Sequence, residues 1–175
     1  MILPLVFFGN SLLRKHSSFV EHINDGVRRL VEDMIETMDS KKGVGLAAVQ
    51  VGVLLRVFII RPEIYLENGE MTLGDVQVFI NSVLSAPTEE KVLMLEGCLS
   101  LPGLHREVER PVAIHVEAQN LQGEKVSADF SDFTAREIMH ENDHLNGVLF
   151  IDRLDARTKR EIEPFLKEIK KAHKG

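Results

Sequence analysis

Apolar residues recur along this chain with two periods, and the changes of period mark its elements. Val27, Leu30, Val31, Met34, Ile35 and Met38 fall at the i, i+3, i+4, i+7, i+8, i+11 spacing of one helix face. Asn24 or Asp25 can start that helix, which serves core packing. It ends at Ser40-Lys41-Lys42-Gly43, where two lysines suit the negative end of the dipole and Gly43 can take the left-handed turn. Residues 54–60 are β-branched and aromatic enough for a buried strand, stopped by Arg61-Pro62. Residues 67–70 read as a turn, 76–80 as a second strand and 91–95 as a third. Val112, Ile114, Val116 and Ala118 alternate with Ala113, His115 and Glu117, which marks a half-buried strand with His115 facing out. Residues 120–123 then turn the chain into a short return strand near 126–129.

A second helix is expected over residues 133–145, which hold neither Gly nor Pro. Ser131 or Asp132 caps its start and Gly147 ends it. Residues 148–154 read as extended. Asp155 caps a short helix with Ile162, Phe165, Leu166 and Ile169 as its apolar stripe, broken or restarted at Pro164. The expected fold is α+β: mixed or antiparallel sheets packed around the second helix, with an N-terminal amphipathic helix and a C-terminal helix covering them.

Composition narrows the class. The 175 residues suit one domain, read as 1–175 with 155–175 as a helical tail, and 44% hydrophobic with 27% charged residues is ordinary for a soluble protein. A net charge of −6 argues against a general nucleic-acid face, so DNA is not expected as a partner. No apolar run approaches the roughly 20 residues needed to cross a bilayer. Residues 1–8 are apolar but lack a basic start and a small-residue cleavage site, and so read as an extended segment of the fold. The single cysteine, Cys98, excludes a disulfide framework within the chain and fits a reducing, cytoplasmic setting. Lys167, Lys170, Lys171 and Lys174 face outward on the tail, as a solvated surface rather than an anion site.

Chemistry enters at His140-Glu141-Asn142-Asp143-His144. On a helix the two histidines at i and i+4 share a face, so both imidazoles can reach one metal ion, and Glu141 stands beside it as a proton acceptor. A catalytic site of this kind needs a third protein ligand and an open position. One peptidase pattern takes a later His, but Phe150 occupies that place here. Glu161 or Glu163 from the final helix can be cast as the ligand. Cys98 is chemically stronger, as a lone thiol in a Gly-flanked loop. Gly43-Val44-Gly45-Leu46-Ala47-Ala48-Val49-Gln50, read by itself, is a helix end followed by small-residue packing, with Gln50 an ordinary amide.

Taken together, that stretch, Glu96-Gly97-Cys98-Leu99-Ser100 and His140-Glu141-Asn142-Asp143-His144-Leu145 resemble the three signature motifs of the peptide deformylases, in order and across nearly the whole chain. The resemblance implies removal of the formyl group from N-formylmethionyl nascent peptides. It implies Cys98, His140 and His144 as ligands of one divalent metal, Fe2+ foremost, with Zn2+, Ni2+ or Co2+ as substitutes. Glu141 would be the general base, with Gln50 and the Leu99 backbone N–H holding the oxyanion. The peptide would lie along Val44, Gly45 and Gly97, with its methionine side chain in an apolar pocket near Phe133. A monomer is expected, and the ribosome is the anionic partner that the lysine-rich tail would touch in the alternative to a solvated face. Against the family pattern, Met139 replaces a usual Gln, Asn10-Ser11 a common Asp-Pro and Ser82 a frequent Pro, while His105 occupies a variable substrate-contacting position. The alternatives are an H-E-x-x-H metallopeptidase and a non-catalytic metal or ribosome-binding module.

Overall fold

The side chain of Asn24 accepts a hydrogen bond from the Val27 N–H at 3.0 Å and so opens helix α1 (Asp25–Ser40). Val27, Val31, Met34 and Met38 are buried along its inner face, as the periodicity requires. The computed structural model describes residues 1–174. It corrects the end of α1: Lys42, not Gly43, takes the positive φ of 56°. Gly43 is needed for close packing instead, because a Cβ there would lie 2.9 Å from Leu99 Cδ1.

Nine strands follow: β1 (Gly45–Ala47), β2 (Val57–Ile60), β3 (Glu63–Tyr65), β4 (Met71–Leu73), β5 (Gln77–Ser85), β6 (Lys91–Cys98), β7 (Leu101–Pro111), β8 (Ala113–Gln119) and β9 (Lys125–Ser131). They form a five-stranded sheet in the order β1-β2-β5-β8-β9 and two hairpins, β3-β4 and β6-β7, with every named pair antiparallel. The fold is α+β, as expected.

Strand β2 shows how the sheet organises the core. Val57 and Ile59 join the cluster under α1, while Phe58 and Ile60 join the one on the opposite face. Burial on both faces makes the strand a continuous apolar run in sequence. Strand β5 is longer than the alternation implied. It runs past Asn81, whose φ is 55°, with a register shift between Ile80 and Val83. The Asn81 side chain secures this bulge by bonding Val20 and Gln119. Strand β7 escaped the sequence reading because its buried residues Leu101, Leu104, Val108 and Arg110 do not alternate regularly.

Helix α2 (Asp132–Leu145) lies against the second cluster, with Ala135, Ile138, Met139 and Leu145 in it. Ser131 takes the cap position without a side-chain cap bond, and Gly147 turns the chain away at φ 72°. Two expectations fail beyond it. Residues 150–153 form a 3-10 turn rather than extended chain, closed by Asp152 accepting from the Leu149 N–H. The tail is one helix, α3 (Ala156–Ala172), uninterrupted at Pro164. Ile162 and Ile169 stay buried on either side of the proline, and that packing holds the two halves in line. Gly175, the last residue of the expected tail, lies outside the described residues. Among them, no helix is long and apolar enough to cross a membrane.

Candidate active site

Phe133, Glu137, His140, Glu141 and His144 recur at three- and four-residue spacing, so α2 carries them on one side. Cys98 meets them as the last residue of β6, at a strand end and not within a loop. Its Sγ is 3.3 Å from His144 Nε2, and the ligand atoms of Cys98, His140 and His144 lie within 4.8 Å of one another. His140 Nδ1 is engaged by Glu96 Oε1 at 2.8 Å, which leaves its other nitrogen for a cation. A thiol and two imidazoles, one already oriented by a carboxylate, are a donor set that fits a borderline or soft divalent metal.

The surroundings are buried charge. Arg110 donates to both Glu96 oxygens at 2.6 and 3.0 Å, and Arg136 adds a bond of 2.6 Å. Arg110 also reaches Asp143 at 3.0 Å, which Arg153 grips twice at 2.7 Å. Burial acts to raise the Glu96 carboxyl, but hydrogen bonds from His140 and Arg110 outweigh it and bring the pKa down to about 2. Burial likewise acts to lower His140, yet Cys98 and Glu96 hold it well above its usual value, whereas burial takes His144 well below. Glu141 is raised to about 7, chiefly by burial, and its Oε2 is buried without a partner. A carboxyl poised near neutrality can both take and return a proton.

Gln50 is buried, not a surface amide. Its Oε1 accepts from the Ala47 N–H at 2.9 Å, which turns the amide nitrogen toward Cys98 Sγ at 3.4 Å and Ser100 Oγ at 3.0 Å. Gly45 makes room for the carboxyl: a Cβ there would stand 2.6 Å from Glu141 Oε1. Gly97 is similarly covered by the His105 ring, 2.5 Å from where its Cβ would be. Val44, Gly45, Gln50, Gly97, Cys98, Leu99, His140 and Glu141 all border one cavity of about 450 Å³, together with Phe133, Arg136 and Glu137.

Glu161 and Glu163 do not join this group. They pair with Arg157 and Lys167 on the exposed side of α3. Phe150, at the place of a peptidase's third histidine, stacks its ring 6.0 Å from that of His140. Sequence reasoning missed Glu96, Arg110, Arg136, Glu137 and Asp143. Glu137 alone carried a local signal, one turn before His140 on the ligand face; the others are joined only by tertiary pairing.

A family model described as polypeptide deformylase matches residues 2–160. The chain belongs to the polypeptide deformylase family. It is similar to the peptide deformylase of Pseudothermotoga lettingae, at 39% identity over 97% of this chain and 92% of that one. With the peptide deformylase of Finegoldia magna it shares 42% identity, over 87% and 89% of the two chains. Its fold matches the crystal structure of peptide deformylase from Ehrlichia chaffeensis in complex with actinonin, with a TM-score of 0.88, 34% identity and 99% coverage of both chains.

Within the deformylase family this chain's own residues gain a place. Met139 packs in the core and does not border the cavity, so it alters packing and leaves the ligands alone. Ser82 Oγ donates to Asn142 Oδ1 at 2.8 Å and ties the β5 bulge to α2. Asn10 caps the 3-10 turn Ser11–Arg14 by accepting from the Leu12 N–H. His105 borders the cavity of the deformylase site.

Proposed function

We propose that the chain, as a peptide deformylase, uses Cys98, His140 and His144 to hold one divalent metal and Glu141 to move the proton in hydrolysis of N-formylmethionyl nascent peptides. The observation that carries this reading is the convergence of one thiol and two imidazoles within 4.8 Å, beside a buried carboxyl with an unpartnered oxygen. When bound, the metal supplies Lewis acidity that polarises the formyl carbonyl and makes a water acidic near neutral pH. Fe2+ is the proposed ion, with Zn2+, Ni2+ or Co2+ able to replace it.

Glu141 takes the water's proton on a carboxylate oxygen and returns it to the departing amine nitrogen. The Gln50 amide, oriented by Ala47, and the Leu99 backbone N–H donate to the formyl oxygen as it gains charge. The peptide backbone runs along Val44, Gly45 and Gly97, and the methionine side chain enters the cavity near Phe133. Formate and a free α-amine leave. We further assign residues 1–175 to one catalytic domain, working as a monomer in the cytoplasm, with the lysines of α3 as the contact to the ribosome.

Formate release from formyl-Met-Ala-Ser tests this, with protein prepared anaerobically with ferrous iron and acetyl-Met-Ala-Ser and unblocked Met-Ala-Ser as controls. Release from the formyl peptide alone is expected. Cleavage within the control peptides would instead identify a peptidase.

A further inference from the structure

The proton transfers above leave one buried carboxyl in the cavity without a task. Glu137 sits one turn before Glu141 on α2, is 5% exposed, and has both side-chain oxygens buried without a hydrogen-bond partner. It borders the cavity together with Gly43, Leu95, Phe133 and Arg136. Its neighbour Arg136 does not pair with it: the two terminal nitrogens of that guanidinium bond Glu96 and the carbonyls of Val108 and Val92, and its Nε is itself buried without a partner. Buried polar groups in folded proteins are nearly always paired. A carboxyl unpaired in the protein, on the wall of a ligand cavity, is therefore placed to pair with the ligand.

We propose that Glu137 is a specificity-determining residue that reads the far end of the substrate's first side chain and favours a hydrogen-bond acceptor there, methionine sulfoxide most strongly, over a hydrocarbon chain. The inference rests on the deformylase reading of the cavity. Burial, reinforced by Glu141 and Glu63, raises the Glu137 pKa to about 9, so at neutral pH the group presents an O–H donor. A thioether sulfur is a weak acceptor, and the oxygen of a sulfoxide is a strong one. Norleucine is about as long as methionine but carries no acceptor, so it fills the space and leaves the carboxyl desolvated and unpaired. Sites built around such a buried polar group discriminate against analogues that lack its partner.

Two measurements at pH 7 test this. The first is kcat/KM for formyl-Met(O)-Ala-Ser and formyl-Nle-Ala-Ser with iron-loaded wild type, Glu137→Gln, Glu137→Val and Glu137→Leu. The second is calorimetric binding of unformylated Met(O)-Ala-Ser and Nle-Ala-Ser to the zinc-loaded proteins, which needs no turnover. The wild type is expected to prefer the sulfoxide by at least tenfold in both. Glu137→Gln, which keeps a donor, should hold that ratio within about threefold, and whichever apolar variant folds should lose at least tenfold of it. A wild-type ratio near one overturns the proposal without any variant, as does an unchanged ratio in a folded apolar variant. If no formyl peptide is turned over, the deformylase reading fails, and the binding ratio still decides whether Glu137 reads the side chain.

Discussion

Glu141 owes its position to a residue with no side chain. Gly45 leaves the space its carboxyl occupies, while burial brings its pKa to about 7. Glu141→Ala should therefore keep its metal, measured by elemental analysis, while kcat for formate release falls by roughly 10²- to 10⁴-fold, the usual worth of a positioned general base. Glu96 acts one step back from the metal, through His140 Nδ1. Glu96→Ala should weaken metal binding by roughly 10- to 100-fold in a chelator competition. It should also cost about 3–5 kcal/mol in urea unfolding, since Arg110 and Arg136 would stay buried with their shared partner gone. His140, Glu141 and His144 were legible from residue type and helical spacing, whereas Cys98, on a strand, stood beside Glu161 and Glu163 as a candidate third ligand until the family resemblance singled it out. Gln50 needed the family resemblance, since nothing around it reveals that Ala47 fixes its amide. Arg110 could not be found at all: it meets Glu96 across the β6-β7 hairpin and Asp143 on a helix 33 positions later.

Among the elements, α1 and α2 were readable because a 3.6-residue period and absence of breakers coincide, and β2 because both of its faces are buried. Strand β7 was not, since its buried residues fall at irregular intervals. Pro164 misled the reading of α3 because propensity was set against packing that the sequence does not display. Asp155 caps that helix by accepting from the Thr158 N–H at 2.7 Å, and this bond holds its carboxyl below its usual pKa. A depressed carboxyl stabilises above its unfolded pKa, and the effect is lost as pH falls through the folded one. Acid titration followed by circular dichroism should thus show α3 losing helicity below about pH 4, a range set by the reference carboxylate value. Asp155→Ala should start with less helix and lack that step.

At the level of the whole molecule, the α+β class followed from the sequence, but the division into one five-stranded sheet and two hairpins did not, because strand partners are chosen by tertiary packing. Lys167, Lys170 and Lys171 on α3 and Lys174 just beyond its end are all exposed and far from the ligand group in sequence. Replacing all four by Glu should reduce co-sedimentation with ribosomes while formate release from a tripeptide stays unchanged. The metal group joins distant parts of this architecture. Cys98 and His144 are 46 positions apart, and β7, β8 and β9 all lie between them. A cation gripping both closes that loop, restricting the unfolded chain much as a disulfide does. The ion is then a removable staple as well as a reagent. Chelation should lower the urea midpoint, and oxidation of the one thiol should loosen the fold along with silencing the site.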